Sequence, residues 1–421
     1  MSETIKKETP STTPVAPPPA PTQPAGPTNV LATLRASLRN DLGVLPVVVT
    51  LVVIALFFQI TSDGSFFKPQ NLSNLLLQTV TTGMLAVAAT LVLLLGEIDL
   101  SLAAVSGVGA AVMGVLVSPA VEGASRGVGL NPWIAILGAL LMGALIGLFN
   151  GFFIAVLRVP AFIVTLSGSI GFAGLLLIVL GPNSTLKIAD STINSLATTY
   201  LPSFLGIGLA VVGLVIFIGS MVLNRQARQK LGLKTKTTTQ LAVQSGLAIV
   251  VVGGVVISLQ SYNGVPLAVV ILISVVILFW LILTRTSFGR HVYAVGGNAE
   301  ASRRAGINVT GLKIAVFVLA STLAAASGIL EGSRQQSAPA AVNPTLLLNA
   351  IAASVIGGVS LIGGRGSVWA IVLGSLVVKS LENGLTLLNQ TQDVVEIVQG
   401  AVLLFAVTLD AVLRRGSAVR R

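Results

Sequence analysis

Apolar runs of about 20 residues recur along this chain, and each is long enough to cross a ~30 Å hydrocarbon core as a helix. Backbone polar groups in lipid must be satisfied within the spanning element, so a chain made of such runs is committed to a helical bundle. The runs lie at 44–62, 75–95, 101–118, 132–155, 161–180, 204–223, 241–260, 265–283, 313–331, 345–362, 367–386 and 395–413. They predict an all-α, polytopic integral membrane protein of about 10–12 transmembrane helices. The 75–118 and 345–386 regions are the least regular and are the places for broken or re-entrant helices. Charged residues make up only 9% of the chain, against about 25% in soluble domains. The absence of cysteine excludes a disulfide, a thiolate metal site and a cysteine nucleophile.

Residues 1–43 differ in kind. Eight of the 18 prolines lie before Thr28, mixed with Thr and Ala. Such composition cannot build a core and predicts a disordered tail with a lead-in to the first span. It does not resemble a secretory signal, because no apolar stretch follows the first charges directly. The membrane domain is predicted over 44–413, with a basic tail at 414–421.

Lysine and arginine set the orientation. With the N-terminus inside, 20 of the 25 basic residues fall in cytoplasmic segments. Only Lys68, Arg126, Lys187 and Arg334 fall outside, and Lys379 lies within a span. Both termini are then cytoplasmic, as are the basic loop at 224–240 and a long polar insert at 284–312. The net charge of +11 follows from the same bias toward an anionic lipid surface, with no nucleic-acid partner required.

The insert contains "VYAVGGNAEASRRAGINV" (292–309). Gly296 and Gly297 predict a flexible turn. Asn298 suits an N-cap, Glu300 the first turn, Arg303 and Arg304 the last turn, and Gly306 a left-handed C′ position. The resulting helix is too short to stand alone in water. It docks either on its own protein or on a cytoplasmic partner.

"GGNAEASRRAGINV", "GEIDLS" (96–101) and "IGGVSLIGG" (356–364) resemble the permease subunits of bacterial ATP-binding cassette sugar importers, the ribose, xylose and galactose group. The matching pattern covers residues 45–413. "TSDGSFFKPQNLSNLLLQT" (61–79) and the extra span pair around 224–240 are similar to the xylose branch. The resemblance implies a homodimer of permeases in the bacterial inner membrane, surrounded by membrane lipid. Its partners are an ATPase subunit and a periplasmic sugar-binding protein, and its substrate is a monosaccharide such as the pentose xylose. It implies alternating access, no cofactor in this chain and no enzymatic activity of its own. It also implies that Gly296, Gly297, Asn298, Glu300, Arg303, Arg304 and Gly306 form the ATPase-coupling element. Where that group often has an acid, this chain has Asn349; where it has Val-Gly after "DLS", this chain has Leu102-Ala103.

Acids inside a membrane demand an explanation. Glu331 has Arg334 three residues on, Lys379 has Glu382 three on and Asp410 has Arg414 four on, spacings that allow pairing on one helix face. Glu97 and Asp99 have no nearby cation in sequence and do not share a helix face. A helix break after Gly96 is expected, with Asp99 capping what begins at Ser101. The two acids are either solvated in a tight cytoplasmic hairpin or line a sugar pathway or gate. Glu97, Asp99, Ser101 and Asn349 are the candidate pathway residues.

Gly143, Gly147 and Gly151 stack on one helix face and serve either an intramolecular contact or a dimer. No nucleotide-binding GxxxxGK[ST] motif occurs. The lone His291 has no constellation around it that suits catalysis or metal binding. The competing functions are a branched-chain amino acid permease, an ion-driven transporter and a channel; no repeated polar ring or filter motif supports the last.

Overall fold

The computed structural model describes residues 45–119, 127–181, 185–233, 235, 237–402, 404 and 408. The Pro-rich segment, the 414–421 tail and the Asp410–Arg414 spacing lie outside these residues.

The described chain is almost wholly helical. In order come α1 (Leu45–Thr61), α2 (Pro69–Leu94), α3 (Leu102–Val117), α4 (Pro132–Ala155) and α5 (Ala161–Leu180). Next are α6 (Ser191–Thr198), α7 (Ser203–Lys230), α8 (Thr238–Gln260) and α9 (Leu267–Arg285). The polar insert forms α10 (Ser287–Gly297) and α11 (Ala299–Arg304). It is followed by α12 (Val309–Gln335), α13 (Pro344–Ile356) and α14 (Val368–Leu387), and residues 392–402 are helical. Among the described residues, the departures from an all-α pattern are a small antiparallel ribbon of β1 (Thr185–Lys187) and β2 (Ser337–Pro339) and an isolated bridge between Tyr200 and Pro266.

Eight of the described helices are long and apolar enough to span a bilayer. Three apolar helices are shorter, over 47–61, 102–117 and 344–356. At 1.5 Å per residue, the 16-residue α3 reaches about 24 Å and the 13-residue α13 about 20 Å, short of a full crossing. These two fall in the regions expected to break. The expected twelfth span, 395–413, falls largely outside the described residues.

Helix starts follow the local sequence. Asn131 and Asn343 each precede a proline and accept from the backbone N–H two residues on, at 3.0 Å. Proline at N1 lacks an N–H that would be orphaned anyway. Asp190 caps α6, and Thr237 with Gln240 forms a capping box at α8.

Mostly buried α2 and α12 form the centre of the core, with α12 packed along α4, α3 and α2. The α4 contact uses the glycine row. A Cβ on Gly143 would lie 2.7 Å from Ala325 Cβ, one on Gly147 2.6 Å from Val318 Cα and one on Gly151 2.9 Å from Ile314 Cα. The row therefore serves an intramolecular contact, settling the choice that periodicity left open. By contrast α7 and α8 are almost wholly exposed and pack chiefly on each other. Such exposed apolar helix faces suit a lipid surround.

Candidate functional site

At one end of the bundle the three glycine-containing motifs converge. Helix α2 ends at Leu94, and Gly96 turns the chain with φ +77°, a conformation that glycine adopts without strain. An irregular connection then runs to Ser101 before α3 begins. The Gly364 N–H donates to the Leu94 carbonyl at 2.9 Å, tying the α13–α14 loop to the end of α2. A Cβ on Gly363 would stand 2.7 Å from both the Gly296 carbonyl oxygen and the Gly96 nitrogen. Three backbones thus touch where side chains would keep them apart. The Tyr293 hydroxyl adds a bond to the Gly366 carbonyl at 2.9 Å, and its burial raises the phenol's pKa.

The insert reaches this junction through α10. Val292 and Val295 are buried on one face, and Gly296 lies against the Leu94 carbonyl. Gly296 and Gly297 are helical, not a flexible turn as their sequence suggested; packing against α2 and the 363–364 glycines stabilises helix where propensity does not. Asn298 then caps α11, accepting from Ala301 N at 2.9 Å. Gly306 takes φ +86°, the expected left-handed stop. Arg303 and Arg304 both pair with Glu300 at 3.2 Å, but all three side chains are exposed. Such pairs stabilise little, so these groups remain available to a partner.

Glu97 and Asp99 part company beside this junction. Glu97 is ion-paired with Lys313 at the start of α12, correcting the expectation that it lacks a cation. The partner is 216 residues away, out of reach of any local spacing argument. Asp99 points inward: its Oδ1 accepts from Ser101 N at 2.8 Å and Ser101 Oγ at 2.6 Å. Asn150 Nδ2 donates to Ser101 Oγ at 3.0 Å, so the Asp99–Ser101 turn is anchored to α4. Asp99 Oδ2 has no hydrogen-bond partner among the described residues. Burial pushes this carboxyl, in the connection outside the spanning helices, up to about 6 against the lowering effect of the Ser101 bonds.

Asn349 lies elsewhere, in a polar cavity of about 260 Å³ toward the other end of α2 and α12. The structure therefore does not gather the four candidate pathway residues into one site. Glu331 accepts from Arg334 Nη2 at 2.7 Å and Nε at 3.2 Å. Lys379 Nζ donates to Glu382 at 2.7 Å. Both i,i+3 pairs form as their spacing suggested, yet both line the cavity, as do Gln78, Thr81 and Gln399. Spacing gives the pairing and not the cavity; the signal in the sequence is that ionisable groups at membrane depth are functional candidates. No His/Asp/Glu group among the described residues is placed to hold a metal.

Broken helices surround the cavity, and a capped short helix stands at the opposite end of the bundle, an arrangement that suits a membrane permease. A family model described as "Branched-chain amino acid transport system / permease component" matches residues 71–407, and the chain belongs to that family. It is a transport subunit of the ATP-binding cassette class. It is 36% identical to the xylose transport system permease protein of Escherichia coli K12, over 90% of this chain and 94% of that protein. The Haemophilus influenzae xylose permease is 35% identical over 88% and 96% respectively. The ribose import permease of Bacillus subtilis is 31% identical over 83% and 87%. No solved structure matches.

Proposed function

We propose that this chain is the membrane-spanning subunit of an importer that carries a monosaccharide of the pentose type, such as xylose, into the bacterial cytoplasm. The observation that carries the reading is the pairing of a polar internal cavity with a capped helix fixed, at the other end, to the breaks in the bundle. The named sugar permeases supply the substrate class. The basic-residue bias supports a cytoplasmic α10–α11 end and cytoplasmic termini, and the likeness to bacterial permeases supports an inner-membrane location. The working assembly is two copies of this chain, ATPase subunits and a periplasmic sugar-binding protein.

The mechanism follows from the contacts. ATP-driven closure of the ATPase subunits moves α11 and, through it, α10. Because α10 abuts the Leu94 carbonyl and the Gly363–Gly364 turn, that motion is delivered to the end of α2 and to the α13–α14 connection. Helices α2, α13 and α14 also carry cavity residues farther along their lengths, so cavity access changes with ATPase state. The Glu97–Lys313 pair joins the moving connection to α12.

Uptake into proteoliposomes holding the complete complex tests the reading. Labelled xylose should accumulate only with ATP and the binding protein. Accumulation driven by an ion gradient alone, or none of any pentose, refutes it. The family description favours a second reading, a branched-chain amino acid as cargo, and labelled leucine in the same assay decides between them.

A further inference from the structure

We propose that the cavity bounded by Gln78, Glu331, Arg334, Asn349, Lys379 and Glu382 is a selecting site within the permease, where a neutral polyhydroxyl ligand binds in transit. The proposal rests on the sugar reading and extends it: substrate choice is not left to the binding protein alone.

Charge balance comes first. Each carboxylate in the cavity has its own cation three residues away on the same helix, Glu331 with Arg334 and Glu382 with Lys379. Lys379 is itself buried. An ion entering must displace a built-in partner to gain one of these charges, and buried pairs are costly to break. A hydroxyl has no such obstacle, because it donates and accepts at once. It can add to a lone pair of a carboxylate while accepting from an amide.

Unspent hydrogen-bonding capacity comes second. Glu382 Oε2 collects Lys379 Nζ at 2.7 Å, Gln399 Nε2 at 2.9 Å and Asn349 Nδ2 at 3.4 Å. The Asn349 contact is at the outer edge of hydrogen-bond geometry, so this buried amide can redirect to a ligand at small cost. Gln78 Oε1 is buried with no partner among the described residues. Buried polar atoms are nearly always bonded, and an exception calls for a reason. A ligand hydroxyl supplies one here. The donor Asn349 is on α13 and the acceptor Gln78 on α2, so both walls are engaged together.

Size comes third. The volume of about 260 Å³ lies just below the usual 300–1,000 Å³ of drug-sized pockets and suits one small ligand. Transit also requires that the ligand leave, which a few neutral hydrogen bonds permit and a full ion pair does not.

The chain has no cysteine, so Ala341→Cys, at a cavity-lining position that offers the ligand no side-chain hydrogen bond, gives a single thiol at the site in the complete complex. Xylose should slow its labelling by a small reagent at least threefold, and leucine should not. Separately, Asn349→Leu and Gln78→Leu should each lower the uptake rate at saturating sugar-loaded binding protein at least tenfold and narrow the discrimination between epimeric pentoses. Labelling unaffected by any sugar, or slowed by leucine alone, overturns the proposal without reference to how the Leu variants fold. So do unchanged rate and discrimination in both Leu variants. If the unaltered complex takes up no neutral sugar, the functional reading fails first; if it does so and the site tests fail, this proposal alone is wrong.

Discussion

Gly296 and Gly297 are adjacent and look equivalent in sequence, yet the structure assigns them opposite tolerances. A Cβ on Gly296 would sit 2.6 Å from the Gly364 nitrogen and closer still to the Leu94 carbonyl oxygen, where ordinary contact begins near 3.4 Å. Relief of the Gly364 contact alone requires a shift of about 0.8 Å and the Leu94 contact requires more, and both partners are backbone atoms that cannot rotate away. The shift also threatens the 2.9 Å bond between Gly364 N and Leu94 O. Overpacking costs about 1–3 kcal/mol and a lost hydrogen bond about 1 kcal/mol, so Gly296→Ala should destabilise this junction by about 2–4 kcal/mol. A Cβ on Gly297 meets nothing within 4 Å, and its backbone is helical. Gly297→Ala should be neutral or stabilise by up to about 1 kcal/mol. Both variants should insert normally, since the change lies beyond the spanning helices. Thermal unfolding in detergent, with ATP-driven uptake by the complete complex, reads both consequences. Gly296→Ala should lower the melting temperature and uncouple transport from ATP hydrolysis, while Gly297→Ala should do neither. Equal behaviour of the two variants refutes the close-contact account of this junction.

Lys313→Met should cost about 1–3 kcal/mol by stranding the half-buried Glu97, and adding Glu97→Gln should recover most of it; a double-mutant cycle in detergent measures the coupling. Asp99 holds its proton to about pH 6 in the folded state but loses it near 3.8 when unfolded, so its stabilising contribution is full below about pH 4 and is lost as pH rises through 6. That contribution is about 3 kcal/mol, and subtracting the pH profile of Asp99→Asn from that of the unaltered protein should isolate it. Gly147→Leu should weaken the α4–α12 contact by several kcal/mol, seen as a lower melting temperature, because its Cβ meets Phe317 and Val318 backbone. Single cysteines at Arg228 and Gly297 should be protected from an impermeant thiol reagent in intact spheroplasts, whereas one at Ser191 should label; the reverse pattern overturns the orientation.

Chain-local physics made much of this protein legible. The spans at 132–155 and 161–180 coincide with α4 and α5, because a bilayer rewards about 20 apolar residues whatever their neighbours. The Asn298 cap and the Gly306 stop were readable because capping is decided within four residues. The same reach explains why Glu331–Arg334 and Lys379–Glu382 were paired correctly from spacing alone.

Tertiary structure decided what no local window contains. Glu97 found Lys313 because α12 returns to the end of α2, and nothing in "GEIDLS" encodes that return. Gly296 and Gly297 became helical because their backbone packs against the Gly363–Gly364 turn and, at Gly296, the end of α2, which overrides intrinsic preference; only Gly296 lacks room for a side chain. Asn349 and the two ion pairs became one cavity only when α2, α12, α13 and α14 packed together. Sequence thus set what each segment must be, since the solvent acts on every residue in place. Packing set which segments meet, since a contact between distant residues exists only in the folded chain.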